Sequence, residues 1–179
     1  MDYAVITAIG PDRLGIMDDI ARAIAAAKGN IEETKAAVLG GEFAVIMLLS
    51  GASGLSQNVE RALAGSEAAK GLSVTVKPTK GPAPASGIPY LVETVSLDTP
   101  GIVQAITAVL RDRGFNIEEL ESLTEAAPWT GAPLFKMKVR VTAPSGTRLA
   151  ALREALARTA EEHDLDVTVR PLTSVTAEI

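Results

Sequence analysis

Hydrophobic residues along this chain change their period in a set order, and the order occurs twice. The first apolar run, YAVITAI (3–9), is short and β-rich, and GPDRLG interrupts it. Ile16, Ile20, Ala23, Ile24 and Ala27 then recur at helical spacing. Asp12 is placed to cap that helix, and Lys28-Gly29 to end it with a cation and a glycine. From Asn30 to Leu39 the pattern is strand-like. Gly40 and Gly41 then give a hairpin signal, because a tight primed turn needs positive φ, and EFAVIMLLS (42–50) returns as the partner strand. Leu55, Val59 and Leu63 mark a second amphipathic helix, and LSVTVK (72–77) closes a βαββαβ unit.

The second half repeats this order. YLVETVSL (90–97) leads to a helix bearing Ile102, Ile106, Val109 and Leu110, and a strand follows near 116–125. The loop APWTGAP (127–133) precedes LFKMKVRVT (134–142); Leu149, Leu152 and Leu156 mark the last helix, before LDVTVR (165–170). Individual residues correspond as well. Asp12, Gly15, Ile16, Ile20 and Asn30 align with Asp98, Gly101, Ile102, Ile106 and Asn116 at one offset (116 − 30 = 86). Asn-Ile-Glu-Glu is spelled identically at 30–33 and 116–119. A two-unit repeat follows. The expected fold class is α+β: two tandem ferredoxin-like βαββαβ domains, each an antiparallel four-stranded sheet with two helices on one face. The expected division is a first domain over 1–80, an extended linker GPAPASGIP over 81–89, a second domain over 90–171 and a tail over 172–179.

The two returning strands differ. Phe135, Met137, Val139 and Val141 alternate with Lys136, Lys138, Arg140 and Thr142, which predicts one face on helices and one facing water or acidic groups. In the first unit Phe43, Val45, Met47 and Leu49 alternate with Ala44, Ile46 and Leu48, so both faces are apolar. A strand apolar on both faces is usually covered on both. The open face of the first sheet is therefore expected to meet another domain or subunit.

Charge narrows the partners. The formal net charge is −5; residues 1–80 carry nine acidic and eight basic side chains, leaving thirteen and nine beyond them. Neither half offers the phosphate-neutralising surface that dominates nucleic-acid affinity, so direct DNA binding is not expected. No apolar run reaches the roughly 18 residues needed to cross a bilayer, which points to a cytoplasmic protein without a membrane partner. The chain has no cysteine, which excludes disulfides, thiol nucleophiles and thiolate metal sites.

The strongest candidate chemistry lies in the loops GPDRLGI and SLDTPGI. A loop entering a helix presents unpaired N–H groups and the positive end of the macrodipole, which suits a carboxylate or phosphate. Gly15 and Gly101 keep the backbone approachable. Asn30 and Asn116 open the next strand, each with an amide that both donates and accepts. A helix end for a carboxylate and an amide for an ammonium group together suit a free α-amino acid. Either motif alone is ordinary turn chemistry; their pairing, twice, is what points to a ligand.

Catalytic readings have little to stand on. His163 is the only histidine and falls near the end of the last helix, where it reads as solvated. No metal-ligand spacing, Gly-x-Ser-x-Gly or P-loop pattern occurs, and no cofactor is called for. Glu32-Glu33 and Glu118-Glu119 are acidic pairs, but adjacent strand residues point to opposite faces and cannot work as a dyad, so they read as solvated strand-edge charge. RNA-recognition modules need aromatics on their central strands, and this chain has six in all: three Phe, two Tyr and one Trp. An acylphosphatase-like enzyme needs a phosphate-cradling arginine loop; Arg13 lies in the first loop, but Thr99 replaces it in the second.

VITAIGPDRLGIMDDIARAIAAAKGNIEE, LGGEFAVIMLLSG, DTPGIV, GFNIEELES and APWTGAPLFKMKV together resemble tandem ACT-domain proteins, in particular the glycine cleavage system transcriptional repressor family. One departure is Leu14, where ACT loops often carry proline, as Pro100 does here. The resemblance implies a non-enzymatic regulator that binds an amino acid, possibly glycine, between paired units. It implies ligand contacts at Asp12, Leu14, Gly15, Ile16 and Asn30, and at Asp98, Pro100, Gly101, Ile102 and Asn116. It also implies a homodimer acting through a transcription factor, with a regulatory subunit of an amino-acid or one-carbon enzyme as the alternative.

Overall fold

The computed structural model describes residues 1–82, 87–128, 130–144 and 146–172, with the backbone alone at 68. The middle of the expected linker, Trp129 of the long loop and nearly all of the expected tail lie outside the described residues. Contacts divide the chain into two compact units, Met1–Pro84 and Ala85–Ile179.

The first unit runs β1 (Asp2–Pro11), α1 (Ile16–Ala26), β2 (Asn30–Leu39), β3 (Glu42–Gly51), α2 (Leu55–Ala64) and β4 (Ser73–Thr79). The second runs β5 (Ile88–Leu97), α3 (Ile102–Asp112), β6 (Asn116–Ala126), β7 (Pro133–Ala143), α4 (Leu149–His163) and β8 (Leu165–Pro171). Every strand pair is antiparallel, in the orders β2-β3-β1-β4 and β6-β7-β5-β8. The α+β tandem fold read from the sequence is the fold observed. β5 starts at Ile88, so Ile88 and Pro89, expected in the linker, are strand residues.

Each unit buries one sheet face under its two helices. In the first, Ala4, Ile6 and Ala8 of β1 and Phe43, Val45, Met47 and Leu49 of β3 meet Ile16, Ile20 and Ile24 of α1 and Leu55, Val59 and Leu63 of α2. In the second, Val92, Met137, Val139 and Val141 meet Ile102, Ile106, Leu110, Leu152 and Leu156, and Tyr90 sets its ring edge-on to Phe115 at 6.4 Å. The Gly40-Gly41 turn has the positive φ its hairpin requires, 62° and 86°.

Two local expectations are corrected. Asp12 does not cap α1: Gly15, at φ 89°, holds the cap position and no side chain bonds there. A left-handed residue before the helix turns the chain sharply enough to leave Asp12 in the loop, its N–H donating to the Gly41 carbonyl at 2.9 Å. At the other end the left-handed residue is Lys28 (φ 57°) rather than Gly29, and the last turn of α1 has no basic residue. Gly29 is small for a different reason, since a Cβ there would stand 3.0 Å from Ile24. The second unit places Gly114 in the left-handed position and buries Phe115 after it.

The open sheet faces keep the difference expected of them. Lys136 pairs with Glu125, Lys138 with Glu93, and Arg140 with Glu118 and Glu119, so the second sheet carries a charged lattice. On the first sheet Val5, Thr7, Ile9, Ala44, Ile46 and Leu48 occupy the equivalent face.

Candidate functional site

The loops 12–15 and 98–101 are built alike. Asp12 and Asp98 leave β1 and β5 and are tied by backbone bonds to the Gly41 and Pro133 carbonyls, at 2.9 and 3.0 Å. Gly15 and Gly101 follow at φ 89° and 102°, and a Cβ at either would meet nothing within 4 Å. Conformation requires glycine at these positions, and the space beside each backbone is open. Ile16 and Ile102 anchor the following helices in the cores, each 2% exposed, while Leu14 stands fully in solvent and Pro100 is exposed. The first N–H groups of each helix lack intrahelical partners.

The loops differ in their bracing. Arg13 donates to the Asp19 carboxylate at 2.8 Å and to the Glu67 carbonyl at 3.0 Å, holding the first loop to the 3₁₀ turn Glu67–Ala69. Thr99 and Ala105 stand in place of Arg13 and Asp19 in the second unit, where Pro100 stiffens the backbone instead. The first turn of α1 carries Asp18 and Asp19; that of α3 carries no acid.

Asn30 and Asn116 lie elsewhere in their units. Asn30 pairs across β3 with Ser50, which pairs with Tyr3, near the start of β1; the loop follows Pro11 at its end. Eight residues of strand (11 − 3) separate them, roughly 26 Å at about 3.3 Å per residue. Asn116, Thr142 and Pro89 repeat this geometry, eight residues (97 − 89) before the second loop. Antiparallel pairing of both neighbours forces the two features to opposite ends of the sheet. No unit brings its own asparagine to its own loop.

At the asparagine end the repeated Asn-Ile-Glu-Glu forms a β-bulge in both units. Pairing slips between Ile31 and Glu33, and between Ile117 and Glu119, so Glu32 and Glu118 are the extra residues. Glu32 accepts from the Ser50 hydroxyl and, at 3.0 Å, from the Asn30 amide. Glu118 accepts from Thr142. The bulge overturns the strand-alternation reading of the glutamate pairs: Arg140 reaches Glu118 at 3.7 Å and Glu119 at 3.2 Å from one side. The Ser50 hydroxyl, and then the Asn30 amide, hold the Glu32 carboxyl below the usual carboxylate range. A lowered acid pKa contributes stability that is complete above the unfolded value and is lost as pH falls through the folded one.

Two buried hydroxyls in the second unit escaped the sequence reading. Thr94 and Ser96 are 2% and 7% exposed, and their oxygens have no hydrogen-bond partner. The signal was available in the repeat, where Ala8 and Gly10 hold the corresponding positions. Two open grooves, one lined by Ser96, Leu134 and Asp164 and one by Glu60, Leu72 and Val76, include none of the candidate ligand residues. Among the described residues no group of three or more His, Cys, Asp or Glu is placed to hold a metal, and no helix is long and apolar enough to cross a membrane.

The ACT domain family model matches residues 2–77. The glycine cleavage system transcriptional repressor of Escherichia coli is 32% identical over 154 residues, covering 86% of this chain and 81% of the relative. The chain belongs to the glycine cleavage system transcriptional repressor family of ACT-domain proteins. A crystal structure of an unknown protein from Galdieria sulphuraria superposes with a TM-score of 0.85 at 32% identity, covering 96% of this chain and 99% of that one. A structure provisionally described as a glycine cleavage system transcriptional repressor superposes at 0.67 and 23% identity, covering 97% and 98%, and shares the fold. In this repressor family the chain is a regulatory ACT-domain protein, and the alignment with the E. coli relative takes in both units.

Proposed function

We propose that this chain is a non-enzymatic, amino-acid-responsive regulator acting as an accessory transcriptional repressor through a protein partner in the cytoplasm. The observation that carries the reading is the match to a glycine cleavage system transcriptional repressor over 81% of that relative's length. A match spanning both units of a repressor favours this over a subunit attached to a metabolic enzyme. The net charge of −5 fits a repressor that works through another protein rather than on DNA.

The ligand proposed is a free α-amino acid. Its carboxylate meets the helix N–H groups beside Gly15 or Gly101, and an asparagine amide takes its ammonium group. Asn30 and Asn116 stand at the far ends of their own sheets, so neither reaches a ligand held at its own unit's loop. Glycine, with five heavy atoms at about −1.5 kcal/mol each at best, is limited to roughly micromolar affinity, which suits a sensor of an abundant metabolite.

Thermal melting with each amino acid tests the reading. A ligand at about one hundred times its Kd adds about 2.7 kcal/mol of stability. Gly15→Val or Gly101→Val places a β-branched residue at positive φ and is expected to remove that shift at its own loop. No shift with any amino acid at concentrations far above physiological overturns the sensing role. Purification from cell extract with a metabolic enzyme instead of a transcription factor overturns the repressor role.

A further inference from the structure

Where α4 ends beside β5 and β8, the second unit carries a groove with one sign of charge. Ser96 of β5, Leu134 of β7 and Leu165 of β8 line it, together with the carboxylate residues Glu161, Asp164 and Asp166. Its volume of about 460 Å³ is large enough for a long side chain, and it is open to solvent. The three acidic residues are exposed, and none of them enters an ion pair among the described residues. α4 ends at His163, so the negative end of its dipole adds to them. Ser96 is only 7% exposed, and its hydroxyl oxygen has no hydrogen-bond partner. A buried oxygen in the wall of an anionic groove is short of a donor. A metal ion does not fit, because among the described residues no three acids are placed to hold one.

The first unit shows what this position takes. Val74 and Val167 pair with the equivalent residues Ala8 and Thr94, and their offset (167 − 74 = 93) carries Glu67 to Ala160, another residue of the groove. The Glu67 carbonyl accepts from the Arg13 guanidinium at 3.0 Å. The second unit has Thr99 in place of Arg13, and it has Ser96, Asp164 and Asp166 where the first has Gly10, Gly71 and Ser73. It therefore has one cation fewer, and two carboxylates and a hydroxyl more. We propose that this groove binds an arginine side chain of a partner protein, its guanidinium set among the carboxylates and donating to Ser96, its methylene stem along Leu134 and Leu165. A guanidinium offers five N–H donors in one plane and is less strongly hydrated than an ammonium, so it suits several spread acceptors better than lysine does. The open side of the groove leaves room for the main chain that carries it. The protein source rests on the proposed action through a partner; the chemistry of the groove does not.

Amide NMR of the full chain, titrated with N-acetyl-arginine amide, is the test. This probe has no free ammonium or carboxylate for the glycine loops. Saturating shifts are expected at Ser96, Glu161, Asp164 and Asp166, and N-acetyl-lysine amide is expected to bind about tenfold more weakly. Asp164→Asn combined with Asp166→Asn should weaken the arginine probe about tenfold, and Ser96→Ala about threefold. Asparagine tolerates the left-handed backbone at 164, and an unchanged melting curve checks that the fold survives. Thr99→Arg restores the arrangement of the first unit and should fill the groove from within, excluding the probe. Shifts that do not saturate, or a lysine probe that binds equally well, overturn the proposal. So does binding indifferent to the paired acid variant, to Ser96→Ala or to Thr99→Arg. Ethylguanidinium binding tenfold tighter than the arginine probe overturns the protein source and assigns the groove to a free small cation. No arm of the test contains a partner protein or an amino-acid ligand, so its failure leaves the sensing and repressor roles to their own experiments.

Discussion

The two units share one topology and differ at the same few places. On the central strands, β1 presents Ala8 and Gly10 to its helices, while β5 presents Thr94 and Ser96. Gly10 is packed so closely that a Cβ would stand 2.3 Å from the Gly71 carbonyl oxygen. The second unit has room for a hydroxyl there but gives it no partner. At the helix exits the strain is exchanged. Lys28 is left-handed where the second unit has Gly114, and Asp164 is left-handed where the first has Gly71. The comparison teaches that this fold fixes backbone conformation more firmly than side-chain chemistry, and that each copy tolerates one or two misfitting residues rather than bend away from the shared path.

The largest expected effect comes from forcing one unit's chemistry into the other. Gly10→Ser imports the residue of the second unit into backbone contact and should destabilise the first by about 2–3 kcal/mol, read by urea unfolding. If it costs nothing, the first unit is as loosely packed there as the second. The reverse exchange sharpens the point more gently. Thr94→Val deletes an unpartnered buried hydroxyl at constant shape and should stabilise the second unit by about 1 kcal/mol in the same measurement. At the helix exits, Lys28→Gly should gain about 0.5 kcal/mol after the entropy of the unfolded chain is counted. Asp164→Gly should gain less, because aspartate tolerates the left-handed region better than lysine. The smallest effect is electrostatic. Ser50→Ala should raise the Glu32 pKa toward the ordinary carboxylate range in an NMR titration, shifting the acid-side loss of stability to higher pH.

The elements were legible because both kinds of period are strong: Ile16, Ile20 and Ile24 on α1, and the strict alternation from Phe135 to Thr142, leave little ambiguity. The repeat then fixed the topology. What stayed hidden was set by pairing between distant strands. No local pattern tells that Asn30 sits level with Tyr3 instead of Pro11, and so the asparagine and the loop read as neighbours. The bulge was equally hidden, because one extra residue changes no composition and only the slip between Ile31 and Glu33 shows it. Arg13 stood in plain view in the loop, but its brace to Glu67 depends on a 3₁₀ turn with no apolar period of its own.

The slip at Glu32 and Glu118 also keeps the rest of each edge strand in step with its neighbour. Both units carry the extra residue at the same step, inside an identical tetrapeptide, whereas Arg13 and Thr99, Lys28 and Gly114, and the length of the hairpin loop all differ. The bulge takes up the extra residue, so Ile31 and Ile117 still stand opposite Leu49 and Val141, residues of the buried face, and nothing before the bulge is turned over.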